Sequence, residues 1–509
     1  MKKIMLICTT ILVLFCLQAC GDNNTPKITD DDERKVLNTK EPTLTYQDDY
    51  EMTDFTDEEM QIYNELFDIN SKISIDIDIS KKQMALIQRD YEDYSAMGGK
   101  SQTYRMADKV TITINDKVYE IEEVGIRMKG NTSRNNFCAS DGSKIYNLIH
   151  FRLSFDETFD DETVYGSDAK VWDDEEERKA RKKRTFAALE KMEVKWNYCY
   201  DETYIREYYA HEMFNSFGVL AAKVNLASFD INNVHCGVYT IFEPVDDLFL
   251  EKNLPKEDLG GDLYKCAWTM VGATYTQNVT YGIEDGMTAY NYDLKTNKKT
   301  SEHYSLWNLL NVLNQSNLSK EDFESVVDVD RWISFAAVSY FTANPDDMRN
   351  NYNNHYLYFL KSSGKAIFIP YDYDRTLGVT AGWDPTGNGL TMASPYSQWA
   401  QGAQEYQVNP LYLNTVSRGG YYVNEYRAKL LEISESKWMD PLNYNDYFLI
   451  AKDNYSNLTI PSQSFDNVSN QDLRFADNIE TRKYNVPISS FMKAIKNTVN
   501  DKIDDYIAN

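Results

Sequence analysis

Residues 354–378 of this 509-residue chain read NHYLYFLKSSGKAIFIPYDYDRTLG. Their two apolar runs, 356–360 and 366–369, are joined through Ser-Ser-Gly, and this pattern predicts a β-hairpin. Asp372 and Asp374 follow the second run. Alternate residues of an extended chain point to the same side, so the two carboxylates are expected together at the end of the hairpin. Carboxylates in that position either bind a metal ion or cap a turn.

The segments upstream of the hairpin supply strands first and helices later. Ile73, Ile75, Ile77 and Ile79 alternate with polar residues, which is typical of a strand with one buried face. Strands are predicted over 73–79, 110–114, 118–121, 124–130, 151–155, 224–230 and 238–242. Helices are predicted over 81–91, 173–184, 201–217 and 331–341. This order resembles that of a protein kinase, so we predict an α+β, atypical protein-kinase-like fold with a β-rich N-lobe and a mostly helical C-lobe.

The chain is acidic, with 79 Asp and Glu against 53 Lys and Arg and a formal net charge of −26. This balance argues against nucleic acid as a main partner, because phosphate backbones are bound by clustered Lys and Arg. Residues 21–60 hold 13 acidic and 4 basic residues, as expected of a polar tether. The predicted organisation is a signal peptide (1–19), an acidic tether (20–70), a kinase-like domain (71–400, with the N-lobe over about 71–250 and the C-lobe from about 251) and a helical C-terminal extension packed on the C-lobe (401–509).

The N-terminus has the features of an export signal. Lys2 and Lys3 precede the apolar run Ile4–Leu17, which is shorter than the roughly 20 residues of a membrane-spanning helix. The run ends in Leu17-Gln18-Ala19-Cys20, which resembles a bacterial lipobox, and the resemblance implies cleavage before Cys20 and its lipidation. We therefore predict an extracytoplasmic lipoprotein, anchored to the cell membrane by its lipid. Four further cysteines could form one or two disulfides or stay as buried thiols: Cys138, Cys199, Cys236 and Cys266.

Five stretches in a fixed order resemble motifs of the CotH kinase family, which is named for spore coat protein H. They are 124–133 (VGIRMKGNTS), 237–246 (GVYTIFEPVD), 261–265 (GDLYK), 354–358 (NHYLY) and 372–378 (DYDRTLG). The general kinase signatures GxGxxG, VAIK, HRD and DFG are absent from the sequence. The resemblance implies an atypical kinase fold and ATP-dependent phosphorylation, with coat proteins as substrates in the spore-forming members.

Phosphoryl transfer requires metal ligands that bridge the phosphates, a cation on the phosphates and a carboxylate that orients the attacking hydroxyl. The resemblance puts Asp372 in the place of the metal-binding carboxylate, with Asp374 in support. Asn354, or less favourably Asn351, is then the second metal ligand. The implied cofactors are ATP and Mg²⁺ or Mn²⁺.

A turn rich in Asp and Asn lies between the last predicted helix and the hairpin. Asp347 lies in this turn, 25 residues before Asp372, and is predicted to be the catalytic base. The neighbouring Asp346 is an open alternative. A purely structural turn is the other interpretation, since Asp and Asn are common in turns.

The phosphate-binding cation is the point at which the sequence departs from the family. A lysine-rich segment usually precedes the strand 151–155, and Leu-Ile-His stands in its place here. Arg152, within that strand, is predicted to contact the phosphates and to act in catalysis, with Lys129 as the alternative cation. In a kinase this cation pairs with a glutamate of the following helix, here Glu207 or Glu212.

Two further segments are predicted to contact the nucleotide. Gly130–Ser133, which includes Asn131, either covers the phosphates through backbone N–H groups and hydroxyls or is a plain turn. Glu243 follows a strand at the position of the kinase hinge, where backbone groups hold adenine. Its side chain either contacts the cofactor or lies in a structural ion pair.

Two main functions fit these observations, besides a more distant third. The first is a surface-anchored kinase that transfers the γ-phosphate of ATP to Ser or Thr of extracytoplasmic or coat proteins. The second is a pseudokinase that acts as an assembly module at the cell surface or spore coat, as the missing lysines suggest. The third is a carbohydrate-processing protein, since 38 Tyr and paired carboxylates would suit a glycosidase. The predicted partners are proteins and, through the lipid, a membrane, but no nucleic acid.

Overall fold

The computed structural model of the protein describes residues 50–269, 271–379, 391–397, 409–461, 472–481 and 483–506. The predicted signal peptide, Cys20 and most of the tether lie outside these residues. The described parts hold both sheets and helices, which confirms the α+β class. No helix within these ranges is long and apolar enough to span a membrane.

Seven strands of the first half form a closed barrel in the order β1-β2-β3-β4-β5-β7-β6. The strands are β1 (Ile73–Asp78), β2 (Arg105–Ile114), β3 (Lys117–Lys129), β4 (His150–Ser154), β5 (Lys191–Trp196), β6 (Val224–Ile231) and β7 (Val234–Phe242). Neighbours are antiparallel except at the closing seam, where β1 runs parallel to β6 and Ile75 lies opposite Phe229. Ile73, Ile75 and Ile77 are fully buried in the barrel core, as their alternation predicted. The closure and the strand β5 were not predicted.

Helices precede, interrupt and follow the barrel. They are α1 (Asp57–Leu66), α2 (Lys81–Ala96), α3 (Glu162–Tyr165), α4 (Glu175–Lys182), α5 (Arg206–Ser216), α6 (Asp247–Asn253), α7 (Tyr304–Leu313), α8 (Lys320–Val326), α9 (Val329–Thr342), α10 (Met348–Asn351), α11 (Pro410–Thr415), α12 (Val423–Glu435), α13 (Pro441–Tyr455) and α14 (Ile488–Lys502). Local capping fixes several of their starts. Thr56, for example, begins α1 in a capping box with Glu59. The four helices predicted from the sequence are found as α2, α4, α5 and α9.

A second sheet of five short strands lies outside the barrel, in the order β12-β11-β8-β10-β9. Its strands are β8 (Leu263–Cys266), β9 (Tyr281–Gly282), β10 (Tyr292–Leu294), β11 (His355–Phe359) and β12 (Ala366–Pro370). The predicted hairpin is confirmed as the antiparallel pair β11 and β12, in which Tyr356 lies opposite Ile369. Both strands are buried along their whole length. The carboxylates at 372 and 374 therefore follow a firmly packed element.

Helix α9 lies at the centre of the largest hydrophobic cluster. Trp332, Phe335 and Tyr340 have no exposed surface, as expected of a helix that is apolar on all sides. The helix ends at Ala343, which has a left-handed backbone with φ 46°. The segment after β12 is tied to this end, because Leu377 N donates to Thr342 O at 2.8 Å. The packing of α9 thus brings the Asp- and Asn-rich turn beside the end of the hairpin.

A residue far along the chain bridges the closing seam of the barrel. The hydroxyl of Tyr455, at the end of α13, accepts a hydrogen bond from Ile73 N at 2.8 Å. It also donates one to Leu226 O at 2.7 Å. One phenol therefore links β1 to β6, and the C-terminal helices stabilise the barrel as well as the helical part.

The four cysteines of the described residues are free thiols in buried positions: Cys138, Cys199, Cys236 and Cys266. Of the two possibilities that the sequence left open, buried thiols are the one observed.

Candidate active site

A buried ammonium group joins the barrel, a helix and the end of the hairpin. Lys195 Nζ lies 2.9 Å and 3.1 Å from the two carboxylate oxygens of Glu207. It also lies 2.5 Å from Oδ1 of Asp372. The Lys195 and Glu207 side chains are 6% and 10% exposed, whereas that of Asp372 is 35% exposed. One carboxylate is thus buried with the lysine, and the other is open to a ligand.

The local structure explains how the three side chains meet. In β5, Met192 and Val194 belong to the barrel core, so Lys195 points to the opposite face. Glu207 lies in the first turn of α5, the helix that follows β5. Asp372 has a left-handed backbone with φ 58°, which costs a residue other than glycine about 1 kcal/mol or more. Backbone strain of this kind is concentrated at functional sites.

The three charges determine one another's protonation. Burial raises the pKa of Glu207, and Lys195 opposes that shift only in part. Burial also opposes the charge of Asp372, but Lys195 and then Lys129 hold the pKa of this carboxyl well below its usual range. Although burial disfavours the ammonium of Lys195, Asp372 and Glu207 raise its pKa well above the ordinary value. At neutral pH the site therefore holds a charged lysine beside an ionised Asp372.

The turn after α9 holds two neighbouring aspartates with different surroundings. Asp346 accepts hydrogen bonds from the side-chain amides of Asn351 at 2.7 Å, Asn353 at 3.0 Å and Asn354 at 3.1 Å. Asp347 has no exposed surface and caps the short helix α10. Its Oδ2 has no hydrogen-bond partner among the described residues.

The pKa shifts of these two aspartates report what each one faces. Burial raises the pKa of Asp346 to about 6, and the negative charges of Asp372 and Asp374 contribute to the shift. Burial raises the pKa of Asp347 to about 7. The Asp347 charge in turn acts on the buried Tyr373, in the protein interior. Asp346 thus belongs with the hairpin carboxylates, whereas Asp347 lies in the core.

Asp374 completes a set of three neighbouring carboxylates with Asp346 and Asp372. It accepts a 3.3 Å hydrogen bond from the thiol of Cys199. Burial raises its pKa, and repulsion by Asp372 adds to this. No three His, Cys, Asp or Glu side chains of the described ranges converge closely enough to hold an ion by themselves. Mg²⁺, however, is usually held by one or two carboxylates together with phosphate oxygens, and this donor set fits that kind of site.

The two cations predicted from the sequence, Lys129 and Arg152, lie around Glu193. Lys129 forms an ion pair with Glu193, and Arg152 lies directly opposite Glu193 across the β4–β5 pairing. The charge of Lys129 also acts on Asp372. Both residues therefore lie near the candidate site, but it is Lys195 that contacts Asp372 directly.

Glu243, at the end of β7, lies in a buried ion pair. It is 3.2 Å from Lys252 Nζ, and the two side chains are 1% and 3% exposed. Its Oε2 accepts a hydrogen bond from the hydroxyl of Tyr63 in α1 at 2.8 Å. These contacts are those of the structural alternative, and a role of Glu243 toward a cofactor stays a prediction.

The turn after β3 is built around Gly130. Its φ is +105°, and a Cβ at this position would overlap with Oγ of Ser133, so the turn requires glycine. Arg134 Nε donates to the Gly130 carbonyl at 2.7 Å and holds the turn closed. Asn131 is exposed and follows Lys129 by two residues. Its side chain is thus accessible close to Lys129 in the chain, and its contact with phosphates stays a prediction.

Lys195 is the residue that the sequence analysis did not single out. The signal was present, because Met-Glu-Val-Lys-Trp at 192–196 alternates and precedes the helix that carries Glu207. The structure also separates the two glutamates left open by the sequence. Glu207 pairs with Lys195, whereas Glu212 pairs with Lys223 at 3.4 Å in a more exposed position.

Fold and site together define an α+β protein in which a buried lysine links a helix glutamate to an aspartate that follows a β-hairpin. The family model described as CotH kinase protein matches residues 126–447. This is more than half of the chain, so the protein belongs to the CotH kinase family, which confirms the resemblance of its motifs. The match continues beyond residue 400, where the sequence analysis ended the kinase-like domain, and the domain boundaries stay predictions.

The inner spore coat protein H of Bacillus subtilis (strain 168) is a relative that is 25% identical to this chain over 217 residues. The aligned part is 42% of this chain and 55% of the relative. The chain therefore spans about half the length of that relative.

Proposed function

We propose that the protein is an ATP-dependent phosphotransferase, an atypical protein kinase that acts on Ser or Thr of extracytoplasmic or coat proteins. The observation that carries this proposal is the contact of Lys195 with both Glu207 and Asp372. In protein kinases a strand lysine on the phosphates is held by a glutamate of the next helix, and a separate aspartate binds the metal. The three residues have the chain order and the contacts that this arrangement requires. We propose that two kinase-like lobes meet at this point.

Lys195 would neutralise the phosphates, and Glu207 would hold it in place. Lys195 donates two hydrogen bonds to Glu207, which orient the ammonium, so little further ordering is required when a phosphate arrives. A phosphate oxygen would then replace Oδ1 of Asp372 as the third acceptor atom of the Lys195 ammonium, besides the two oxygens of Glu207. This exchange frees Asp372, the more exposed of the two carboxylates, for its own ligand.

Asp372 and Asn354 would hold Mg²⁺ or Mn²⁺, with Asp374 in support. When bound, such an ion neutralises charge on the phosphates. The donors suit it, because hard divalent cations prefer carboxylate and amide oxygens. Burial raises the pKa values of Asp346 and Asp374, and repulsion by Asp372 adds to both shifts. A divalent cation would relieve that repulsion.

The base that orients the acceptor hydroxyl would be one of the two aspartates after α9. Asp347 is the prediction from the sequence, and its pKa of about 7 would suit a base. Asp346 has the better position, because it faces Asp372 and Asp374 while Asp347 is fully buried. Replacing each by Asn distinguishes them, since loss of transfer with unchanged nucleotide affinity identifies the base.

Incubation of the purified protein with γ-labelled Mg-ATP and Ser- or Thr-containing peptides tests the proposal. We expect label on the protein or the peptides, and loss of label in Asp372→Ala and Lys195→Met. Lys223→Met should keep the label, because it removes only the more exposed ion pair with Glu212, which lies on the same helix as Glu207. A wild-type protein that shows no labelling and does not bind Mg-ATP would refute the kinase proposal. Thermal shifts with cell-wall sugars instead of Mg-ATP would favour the carbohydrate-processing alternative.

A pseudokinase that serves as a surface or coat assembly module is the second candidate. The sequence favours it, because Leu148-Ile149-His150 stand in the place of the lysine-rich segment that family members usually carry there. Nucleotide binding without transfer, and an assembly phenotype that survives Asp346→Ala and Asp347→Ala, would support this candidate over an active kinase.

We also propose a lipid-anchored, extracytoplasmic location at the cell membrane, with coat or surface proteins as partners. The apolar run and Cys20 in the sequence support the anchor. The relative from Bacillus subtilis is by name an inner spore coat protein, which suits coat proteins as substrates. Labelling of cells with a radioactive fatty acid, in wild type and Cys20→Ser, tests the anchor: equal labelling of both would refute it.

A further inference from the structure

A second group of charged side chains lies beside the one formed by Lys195, Glu207 and Asp372. It consists of Lys129 from β3, Arg152 from β4, Glu193 from β5 and Lys265 from β8, with Tyr371 among them. Three of these side chains are cationic and one is anionic. The group lies where the barrel meets the second sheet, because Lys265 belongs to the sheet and the other charged residues belong to the barrel.

Arg152 is half-buried and has no direct hydrogen bond or ion pair to another described residue. Its Nε is a buried atom that has no hydrogen bond among the described residues. The two carboxylates that act on its charge are Glu193, which already pairs with Lys129, and Asp246, which caps α6. A guanidinium has five N–H donors, and leaving them unpaired away from water is costly. Arg152 therefore presents donors that suit an anion.

Lys265 approaches the same region from the second sheet. Its Nζ lies 4.3 Å from the ring centroid of Tyr371, and Lys129 Nζ lies 5.1 Å from the same centroid. The aspartate opposite Lys265 on β10, Asp293, is paired with Lys295, so among the described residues no ion pair engages Lys265. Burial, and then repulsion by Lys129, lowers the pKa of Lys265 to about 8. Two ammonium groups near the same aromatic ring repel each other, and a nearby anion reduces that repulsion.

Glu193 connects the two unpaired cations. Although burial opposes its charge, Lys129, Arg152 and Lys265 lower the pKa of this carboxyl to about 2. Tyr371 also donates a hydrogen bond to Glu193 at 3.4 Å. A single carboxylate thus faces three cations, although Asp246, Asp372 and Glu284 also act on their charges. Among the described residues no ion pair engages Arg152 or Lys265, and a bound anion would supply one.

We propose that Arg152 and Lys265 form an anion subsite that binds a phosphate group. A phosphate offers several acceptor oxygens, matches the planar fork of an arginine and carries negative charge that can pair with both cations. The subsite is separate from Lys195, whose ammonium is already held by Glu207 and Asp372. The phosphate belongs either to the nucleotide or to a phosphate-bearing acceptor, and the first of these sources rests on the proposed function.

Calorimetric titration of pyrophosphate into the whole protein, with EDTA present, tests the subsite in the absence of metal. We expect binding by the wild type, and at least about ten-fold weaker binding by Arg152→Gln and by Lys265→Met, because each loses a contact with a charged group. Arg152→Lys keeps the positive charge but loses the planar fork of the guanidinium, so its affinity for pyrophosphate should lie between those of the wild type and Arg152→Gln. Lys82→Met is the control, because it removes an ion pair with Asp168 whose side chains are 63% and 54% exposed.

Equal affinity of the wild type, Arg152→Gln and Lys265→Met, or no binding of pyrophosphate by the wild type, would overturn the proposal. Urea denaturation of each variant separates loss of the subsite from loss of the fold, and Arg152→Lys serves if Arg152→Gln is unfolded. Exclusion of pyrophosphate by saturating Mg-ATP assigns the subsite to the nucleotide, whereas simultaneous binding assigns it to the acceptor. Wild-type protein that binds pyrophosphate through Arg152 but never Mg-ATP would refute the proposed function and support the subsite.

Discussion

Replacing Lys195 by Met tests the fold and the site together. The change removes the ammonium and leaves the Glu207 and Asp372 carboxylates without a cation between them. Breaking a buried ion pair by removing one partner costs about 3–5 kcal/mol. Because the Asp372 side chain is 35% exposed and can be hydrated, we expect the lower end of that range, a loss of about 3 kcal/mol in the free energy of unfolding.

A double-mutant cycle with Glu207→Gln isolates the interaction. Without the lysine, a neutral Gln is easier to bury than a carboxylate, so the double variant should be more stable than the two single losses predict. We expect a coupling free energy of about 1–3 kcal/mol, measured by urea denaturation followed by circular dichroism. Lys223→Met is the matched control, because Lys223 pairs with Glu212 of the same helix at 3.4 Å and is 40% exposed. Its cost should stay below about 1 kcal/mol.

The dependence on pH has a defined sign. The pKa of Asp372 is lower in the folded protein than the unfolded value of about 3.9. The stabilisation that Asp372 receives from Lys195 is therefore present above that value and is lost as the pH falls through the folded pKa. The part of the difference between wild type and Lys195→Met that comes from Asp372 should be full at pH 7 and shrink below about pH 4. Strict additivity in the cycle, or a cost no larger than that of Lys223→Met, would refute this reasoning.

Three further predictions concern other parts of the molecule. Lys252→Met leaves Glu243 unpaired where the two side chains are 3% and 1% exposed, so the free energy of unfolding in urea should fall by about 3–5 kcal/mol. The hydrogen bond that His235 donates to Asp230 raises the pKa of His235, so the histidine stabilises the fold fully below its unfolded pKa of about 6.5. The deficit of His235→Asn, measured by denaturation at several pH values, should therefore disappear as the pH rises through the folded pKa. Burial raises the pKa of Asp347 to about 7, so wild-type stability falls as the pH rises toward that value. Asp347→Asn, which can still cap α10, should be the more stable protein at pH 8.

Each of these three predictions has a contradicting result. A cost below about 1 kcal/mol for Lys252→Met would indicate a hydrated pair. A deficit of His235→Asn that grows from pH 6 to pH 8 would have the wrong sign for a histidine whose folded pKa is raised. Lower stability of Asp347→Asn than of wild type at pH 8 would contradict a destabilising charge at Asp347.

The hairpin and most strands of the barrel could be predicted because their signals are local. The alternation from Ile73 to Ile79 and the two apolar runs around Ser-Ser-Gly depend only on neighbouring residues. The pairing of β1 with β6 is different, since it joins segments that no periodicity connects. Closure of the barrel therefore follows from tertiary packing and could not be inferred from the pattern of any single strand.

The carboxylates of the candidate site were predicted from the sequence, but Lys195 was not. Asp372 stands out because it ends an apolar strand, whereas Lys195 lies in a six-residue strand in which Glu and Lys interrupt the apolar pattern. The choice between Glu207 and Glu212 was open for a geometric reason. Five residues rotate the side chain by about 140° around a helix axis, so only the packing of α5 decides which glutamate faces the barrel.

The phenol that bridges the barrel seam also bears on the order in which the protein is completed during synthesis. β1 emerges early, but Phe229, opposite Ile75 in β6, follows 154 residues later. Tyr455, which bonds to Ile73, follows 382 residues after it. Contacts between such distant segments slow folding, and an unpaired strand edge invites pairing with other chains. The edge of β1 would thus stay unpaired until β6 has been synthesised, and the bridge through Tyr455 would form only after α13 has followed.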